Sequence, residues 1–428
     1  MLPGLLSFAA LIALWVTGVD RLTGWGDGAT PLVPVPGVLA IAAVTWLVAR
    51  TRTGASRRGA LLAGSLACAF AYDPLFAAGS VVWLVGLHAA LFGGGRARPL
   101  RGLIFALATL VALAIACNRD LWDVPRPLAR CGFLFVIAYL FRITWLLHEV
   151  RMKRQVVPLV DVALYFLFAP LFVVVPYMLA IPRCDRVRAA LPVHDRAIER
   201  SGARLIGWGC ALAVIAWASR TWIDPLGSEF AALRAHDLPR VVLYALPHYP
   251  IQPAIEACAG GAIVVGLVRL FGVDLAPSFR RPLAAQTITE VWRRWNMHFR
   301  DTLVELFYTP VMLRLRKHKT RALVWGCIAV FVIGSTVFHL PKHYFRYGSL
   351  NPPNVHILVE NVLMCAVVAI AMLREQRRPP PPPAGRLRAA LRVLRTWTLL
   401  LVIVVYAGYG SQYAIYGERP PVAITPWR

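Results

Sequence analysis

A short run of residues that could bind anions, donate hydrogen bonds and move protons lies between Ile288 and Pro310. It holds three arginines, two tryptophans, a histidine and an asparagine beside acidic residues. Such groups in or next to a bilayer are costly unless they are paired or hydrated, so they mark functional sites by default. The candidate site residues in this run are Trp292, Arg293, Arg294, Trp295, Asn296, His298 and Arg300.

A histidine, His339, ends the next apolar segment, Leu323–Phe338. A neutral imidazole at the edge of a membrane can accept a proton near neutral pH and act as a general base. His343 follows four residues later and is the alternative catalytic histidine. A histidine that only caps a helix end is the structural alternative for either position.

Spacing within the run predicts how its side chains would meet. Glu290 and Arg294 are four residues apart, so they would pair on one face of a helix. If the helix continued, Arg294 would share a face with His298, and Asn296 with Arg300. The structural alternative is an interfacial amphipathic helix anchored by its tryptophans and arginines.

The composition is that of a membrane protein. Of 428 residues, 58% are hydrophobic and 16% are charged, whereas soluble domains have about 25% charged residues. The net charge of +25 comes from basic residues in short loops between long apolar runs. This pattern indicates positive-inside topology and contact with lipid headgroups, and it argues against a nucleic-acid partner.

Several site types are unsupported by the sequence. The eight cysteines form no C-x-x-C pair, which argues against a disulfide framework. Motifs for nucleotide binding, zinc ligation and serine hydrolysis are also missing, so no metal site and no bound cofactor are predicted.

The elements that would position these residues are membrane helices. The sequence predicts an all-α polytopic bundle of about eleven transmembrane helices with short re-entrant or interfacial helices at 241–250 and 302–313. We expect one domain over 1–428, with a Pro/Arg-rich cytoplasmic linker at 374–395. The predicted spans lie near 3–19, 33–49, 60–94 (a pair broken at Asp73-Pro74), 102–117, 131–148, 157–181, 204–219, 255–272, 322–339, 354–373 and 396–411.

Basic loops set the predicted orientation. The first apolar run lacks a basic segment before it and is interpreted as a membrane helix rather than a signal peptide. With the N-terminus inside, five arginine-rich loops are cytoplasmic, starting with Arg50–Arg58. The basic loop at 183–204 fits this topology less well. Arg142 and Asp161 lie inside apolar runs and are expected to pair with each other.

The run from 270 to 345 resembles the signature region of membrane-bound O-acyltransferases, in particular the bacterial polysaccharide O-acetyltransferase branch. In bacterial members of that family, F-G is followed by a loop that ends in R/N-P and then by I-x-x-F-W-R-R-W-H, with a later helix that ends in G-L-W-H-G. Here Leu270-Phe271-Gly272 and Pro282 precede Ile288–Asn296, and Val332–His339 occupies the place of the histidine helix. Asn296 replaces a histidine, as in eukaryotic members that acylate lipids and sterols, and Leu340 replaces the glycine after the histidine.

The resemblance implies a chemistry for the candidate residues. A thioester on coenzyme A or an acyl carrier protein would donate an acyl group, predicted to be acetyl, to a hydroxyl acceptor. His339 would be the base, Asn296 would donate to the thioester carbonyl or orient it, and the arginines would hold donor phosphates or line the entrance. The expected setting is the bacterial inner membrane, with an exported or cell-envelope glycan as acceptor and a periplasmic acyltransferase as partner.

Two other functions stay open from the sequence. An acyltransferase for a lipid or a small secondary metabolite is the first, because Asn296 matches lipid-acylating members. A transporter is the second, with Asp161, Arg142 and Glu360 along the substrate path. A transporter of this kind predicts an inverted internal repeat, which the sequence does not show.

Overall fold

The structure, a computed structural model, describes residues 2–17, 36–95, 98–117, 124–153, 156–171, 181–223, 251–339, 352–378 and 385–401. Over these ranges the chain is helical and contains no strand. Within these ranges, the helices that precede the candidate site are α1 (Leu2–Val16), α2 (Pro36–Arg50), α3 (Gly54–Tyr72), α4 (Pro74–Phe92), α5 (Arg98–Cys117), α6 (Arg126–Lys153), α7 (Leu159–Leu167), α8 (Cys184–Ala190), α9 (Arg196–Ile223) and α10 (Ile251–Leu270).

The remaining helices carry the candidate site. They are α11 (Ile288–Arg294), α12 (Met297–Leu303), α13 (Thr309–Arg314), α14 (Lys319–Cys327), α15 (Pro352–Arg377) and α16 (Arg386–Leu401). A π-helical turn, Val304–Tyr308, joins α12 to α13. A second π-helical segment, Ile328–Gly334, follows α14, and the helix then continues to His339.

Four of the described helices are long and apolar enough to cross a membrane: Pro74–Phe92, Pro127–Met152, Arg196–Ser219 and Lys319–His339. Three shorter apolar helices cover Leu2–Leu14, Pro36–Arg50 and Pro99–Ile115. An all-helical membrane protein is thus supported, whereas the count of about eleven spans stays a prediction. The helix predicted near 157–181 ends at Leu167 in the described part of that segment, and the short segment at 241–250 lies outside the described residues.

The predicted break at Asp73-Pro74 is confirmed. α3 ends at Tyr72, and the Asp73 side chain accepts a 2.9 Å hydrogen bond from the backbone N–H of Phe76 at the start of α4. Proline at the first helical position needs no hydrogen-bond partner there, and aspartate is a preferred N-cap. Local sequence alone therefore fixes this boundary.

A first hydrophobic core unites α1–α10 and includes Phe8, Trp46, Phe76, Tyr139, Tyr165 and Phe271. Within it, α9 and α10 pack together closely. A Cβ atom at Gly202 would lie 2.6 Å from the carbonyl oxygen of Gly266, so the backbones meet where side chains are absent. Small residues allow this close approach of membrane helices.

Arg57 joins three parts of the first core on the basic side of the bundle. It is fully buried and donates to the carbonyl oxygens of Ala49 (2.6 Å), Phe271 (2.7 Å) and Leu191 (3.0 Å). Arg50 also pairs with Glu199 at 3.0 Å. The basic loop at 183–204 therefore lies on the same side as the loop Arg50–Arg58, and its fit to the positive-inside pattern is better than its position in the sequence suggested.

The expected pair of Arg142 with Asp161 is not the arrangement in the structure. Arg142 donates to the backbone carbonyl oxygens of Tyr165 (3.4 Å) and Phe166. The buried carboxylate of Asp161 lies 3.3 Å from Arg188, with Arg58 3.9 Å away. Because Arg188 of α8 and Arg58 of α3 supply the partners, Asp161 connects α7 to these two helices.

Helices occupy both ends of the segment 374–395, which was predicted to be a proline-rich linker. α15 extends to Arg377 and α16 begins at Arg386, so helices take up most of the segment 374–395. Both helices carry arginines from this segment. They also contact the run around Asn296, as described below.

A second hydrophobic core lies between α6, α12, α15 and the helix that ends at His339. It includes Phe141, Trp145, Phe299, Leu303, Phe331 and Phe338. α6 contributes to both cores and so connects them.

Candidate functional site

The run around Asn296 is not one continuous helix. α11 ends at Arg294, and Asn296 adopts a left-handed conformation (φ 35°, ψ 65°) before α12 begins. Asparagine tolerates this conformation better than most residues. The face predicted across the break, Arg294 with His298, is therefore wrong as a contact on one helix. Asn296 and Arg300 both belong to α12, where the backbone N–H of Arg300 donates to the carbonyl oxygen of Asn296 at 2.9 Å.

Asn296 is the N-cap of α12. Its side chain is buried (4% exposed), and its Oδ1 accepts a 3.3 Å hydrogen bond from the backbone N–H of Phe299. The backbone N–H of Met297 donates to the carbonyl oxygen of Ser278 at 2.8 Å, which holds the break against the preceding loop. Since Oδ1 is occupied, the amide nitrogen of Asn296 is the group available to a substrate oxygen.

α11 begins with reciprocal capping. Thr287 accepts from the backbone N–H of Glu290 at 3.1 Å, and Glu290 accepts from the backbone N–H of Gln286 at 2.6 Å. This resembles the capping-box arrangement of a hydroxyl residue followed three positions later by glutamate. The predicted ion pair of Glu290 with Arg294 is present.

The two helices that flank the proline-rich segment hold α11 in place. Thr289 on α11 donates to Glu375 of α15. Thr396 of α16 donates to the carbonyl oxygen of Gln286 at 2.7 Å, and Trp397 Nε1 donates to that of Leu283 at 3.2 Å. The C-terminal helices thus position the start of the site.

His339 lies against α12. Its ring is 5.4 Å from the ring of Phe299 in an edge-to-face arrangement. The neighbouring Phe338 is buried and stacks on Phe141 with centroids 4.1 Å apart. Phe299 therefore contacts both candidates, because its backbone N–H binds Asn296 and its ring contacts His339.

Small polar side chains lie one turn before His339. Ser335 donates to Asn361 Oδ1 at 3.0 Å, and Asn361 Nδ2 donates to Thr336 Oγ1 at 3.3 Å. These hydrogen bonds tie the histidine helix to α15 inside an otherwise apolar region. They satisfy polar groups that would be costly there unpaired.

The other candidate residues around Asn296 contact different parts of the protein. Trp292 packs on Phe331 of the second core, and Trp295 packs on Phe279. Arg300 binds Asp301 and the carbonyl oxygen of Arg293. The side chain of Arg293 is exposed.

His298 connects α12 to the loop before α11 through a hydrogen bond. Its Nε2 lies 2.8 Å from the carbonyl oxygen of Ala276, so this nitrogen carries the proton. Burial lowers the pKa of His298, and this effect outweighs the hydrogen bond to Ala276 and the charge of Asp301, both of which raise it. His298 is therefore neutral at neutral pH.

We expect the neutral His298 to make the protein sensitive to acid. Its folded-state pKa lies below the unfolded value of about 6.5, so the unfolded state binds more protons as the pH falls. The stability is complete above pH ~6.5 and declines below it. Thermal unfolding in detergent at neutral and at mildly acidic pH should show a smaller acid-induced loss for His298→Gln than for the wild-type protein. An equal loss would assign the sensitivity to other groups.

A second ionic cluster, which the sequence did not indicate, adjoins the same helix. Glu305 in the π-helical turn lies 3.2 Å from His148 Nε2 and 3.3 Å from Arg183. Arg183 stacks over Trp145 at 4.7 Å, and Trp145 Nε1 donates to Thr302 of α12 at 3.0 Å. His148 ends an apolar run as His339 does, and this is the signal that could have singled it out.

Two predicted features fall outside what can be described. His343 and the side chain of Glu360 lie outside the described residues, so neither is placed. Among the ranges that are described, no group of three or more His, Cys, Asp or Glu side chains could hold a metal ion.

Comparison with known proteins gives one partial similarity and no family match. No protein-family profile matches the chain. Over 114 residues the chain is 28% identical to a protein of Arabidopsis thaliana named probable long-chain-alcohol O-fatty-acyltransferase 9. The matched stretch covers 26% of this chain and 33% of the plant protein, so the chain spans about a third of the length of the relative it matches.

Proposed function

We propose that the protein is a membrane O-acyltransferase that moves an acyl group from a thioester to a hydroxyl acceptor. The observation that carries the proposal is that both residues contact Phe299 beside an apolar core, Asn296 at its backbone N–H and His339 at its ring. The partial similarity to an O-fatty-acyltransferase and the resemblance of 270–345 to membrane-bound O-acyltransferases support it.

The reaction would begin with His339. Its imidazole takes the proton of the acceptor hydroxyl, and the oxygen attacks the thioester carbonyl carbon. As the new C–O bond forms, the carbonyl oxygen gains negative charge, and the amide nitrogen of Asn296 donates a hydrogen bond to it. The C–S bond then breaks, and the imidazolium returns the proton to the leaving thiolate.

The donor would be an acyl thioester of coenzyme A or of an acyl carrier protein. Arg293 is the arginine of the run that suits donor phosphates best, because its side chain is exposed while Arg294 and Arg300 pair with acids. An exposed guanidinium can bind a phosphate through two hydrogen bonds. Arg294 and Arg300 would instead maintain the shape of the entrance.

For the acceptor, the support favours a lipid alcohol over a glycan. The name of the plant relative describes acyl transfer to a long-chain alcohol, and Asn296 occupies the motif position that carries asparagine in lipid-acylating members. The phenylalanines around His339 would accommodate an alkyl chain. An acetyl donor, a glycan acceptor, a periplasmic partner and the bacterial inner membrane stay predictions from the sequence.

A two-by-two transfer assay tests the proposal. The protein purified in detergent would receive radiolabelled acetyl-CoA or palmitoyl-CoA together with hexadecanol or an oligosaccharide, and both free thiol and labelled ester would be measured. We expect a labelled ester of hexadecanol with matching thiol release. Ester on the oligosaccharide alone would establish acyl transfer and reject the lipid acceptor. No thiol release with any pair from a folded protein would contradict acyl transfer from coenzyme A.

A further inference from the structure

A groove with a volume of about 720 Å³ opens between α1 and α9. Apolar and small residues form its floor: Leu6, Ala10, Ala203 and Gly207. Arg200 and Arg204 stand at its rim. The groove thus combines a narrow apolar surface with a positive end.

The two arginines are available to a ligand. They are four residues apart on α9, so they lie on one face, and both are exposed. Among the residues that the structure describes, no acidic side chain lines the groove. The nearest acid on the helix, Glu199, is buried and bound to Arg50 at 3.0 Å and to His194 at 2.5 Å. The positive charge at the rim is therefore not neutralised by this carboxylate.

The groove lies along the first turns of a helix that could cross a membrane. Arg196–Ser219 is long and apolar enough to cross a membrane, and its arginines lie in its first turns. Trp208, one turn beyond Arg204, is 65% exposed and has the character of an interfacial residue. The salt bridge of Glu199 with Arg50 places this end on the basic side of the bundle, where anionic lipids attract arginine side chains.

We propose that this groove binds an anionic phospholipid. Arg200 and Arg204 hold its phosphate, and one acyl chain lies along Leu6, Ala10, Ala203 and Gly207. Charge complementarity selects an anionic headgroup, and the apolar floor selects a lipid over a soluble phosphate. The site is separate from His339 and Asn296, so it does not depend on the proposed acyl transfer.

Native mass spectrometry of the detergent-purified protein tests the site. The protein would be titrated with phosphatidylglycerol and with phosphatidylcholine of identical acyl chains. We expect wild-type protein to prefer phosphatidylglycerol, and R200Q/R204Q to reduce that preference by roughly tenfold, since each arginine near anionic lipid contributes about one-half to one decade of binding. R316Q/K317Q, which removes two exposed basic residues elsewhere, is the matched control and should keep the preference.

A second variant tests the apolar part. A Cβ atom at Gly207 would meet nothing within 4 Å, so Gly207→Leu fits the helix and fills the groove. We expect it to lower retention of phosphatidylglycerol although both arginines are present. A preference that R200Q/R204Q leaves unchanged, or an equal loss in R316Q/K317Q, overturns the proposal, provided that size-exclusion profiles and circular dichroism match the wild type.

Discussion

His339→Ala is expected to lower the rate of acyl transfer by roughly 10²–10⁴-fold, the range typical for loss of a general base. Without the imidazole, the acceptor hydroxyl keeps its proton and stays a weak nucleophile toward the thioester. The measurement is ester formation by the purified variant, with the acyl and acceptor pair that the wild-type protein uses. The protein should still accumulate in membranes, because the aromatic packing of Phe338 remains.

Two other histidine variants make this result specific. His318→Ala removes an exposed histidine in the turn before α14 and should leave transfer unchanged. His343→Ala tests the alternative catalytic histidine. If His343→Ala abolished transfer and His339→Ala did not, the base would be His343, and full activity in both variants would reject a histidine base in this segment.

Asn296→Asp is expected to fold normally and to lose roughly 10²–10³-fold in kcat, as when one hydrogen-bond donor to a developing oxyanion is removed. Aspartate is as good an N-cap as asparagine and also tolerates the left-handed conformation, so α12 keeps its start. What the variant lacks is the amide N–H₂, and its carboxylate repels the negative charge that forms on the carbonyl oxygen. Steady-state kinetics with the established substrates measure the loss.

Asn296→Gly separates the backbone role from the chemical role. Glycine adopts φ near 35° without strain and costs only a few tenths of a kcal/mol as an N-cap. We therefore expect a thermal midpoint close to that of the wild type together with a large loss of kcat. If Asn296→Asp kept the wild-type kcat, the catalytic role of Asn296 would be rejected and its role would be limited to capping α12.

Features encoded by neighbouring residues could be predicted from the sequence. Asp73-Pro74 ends one helix and caps the next through its own side chain, and Glu290 reaches Arg294 within one turn. The long apolar helix that ends at His339 was also correctly located. The contacts of Asp73 and Glu290 lie within about five residues, where spacing determines geometry, and the long helix follows from a continuous apolar run.

Features that depend on distant partners were missed. The helix breaks at Asn296, where the Asn296 side chain accepts from the backbone N–H of Phe299 and the backbone N–H of Met297 donates to Ser278 of the preceding loop. Hydrophobic periodicity carries no sign of such a break. For the same reason the sequence did not predict that Asp161 pairs with Arg188 rather than Arg142. Tertiary packing determines which of several basic residues lies next to the carboxylate.

The π-helical segment Ile328–Gly334 has a consequence for how this site could have arisen. A π-helical segment corresponds to the insertion of one residue into an α-helix. A Cβ atom at Gly334 would lie 2.8 Å from Leu303 and 3.0 Å from Phe307. The π-helical segment therefore packs tightly against α12 and the π-helical turn that follows α12. Deleting one residue would turn every later position by about 100° around the helix axis. The direction in which His339 faces is thus encoded by the length of a segment that contains none of the candidate site residues.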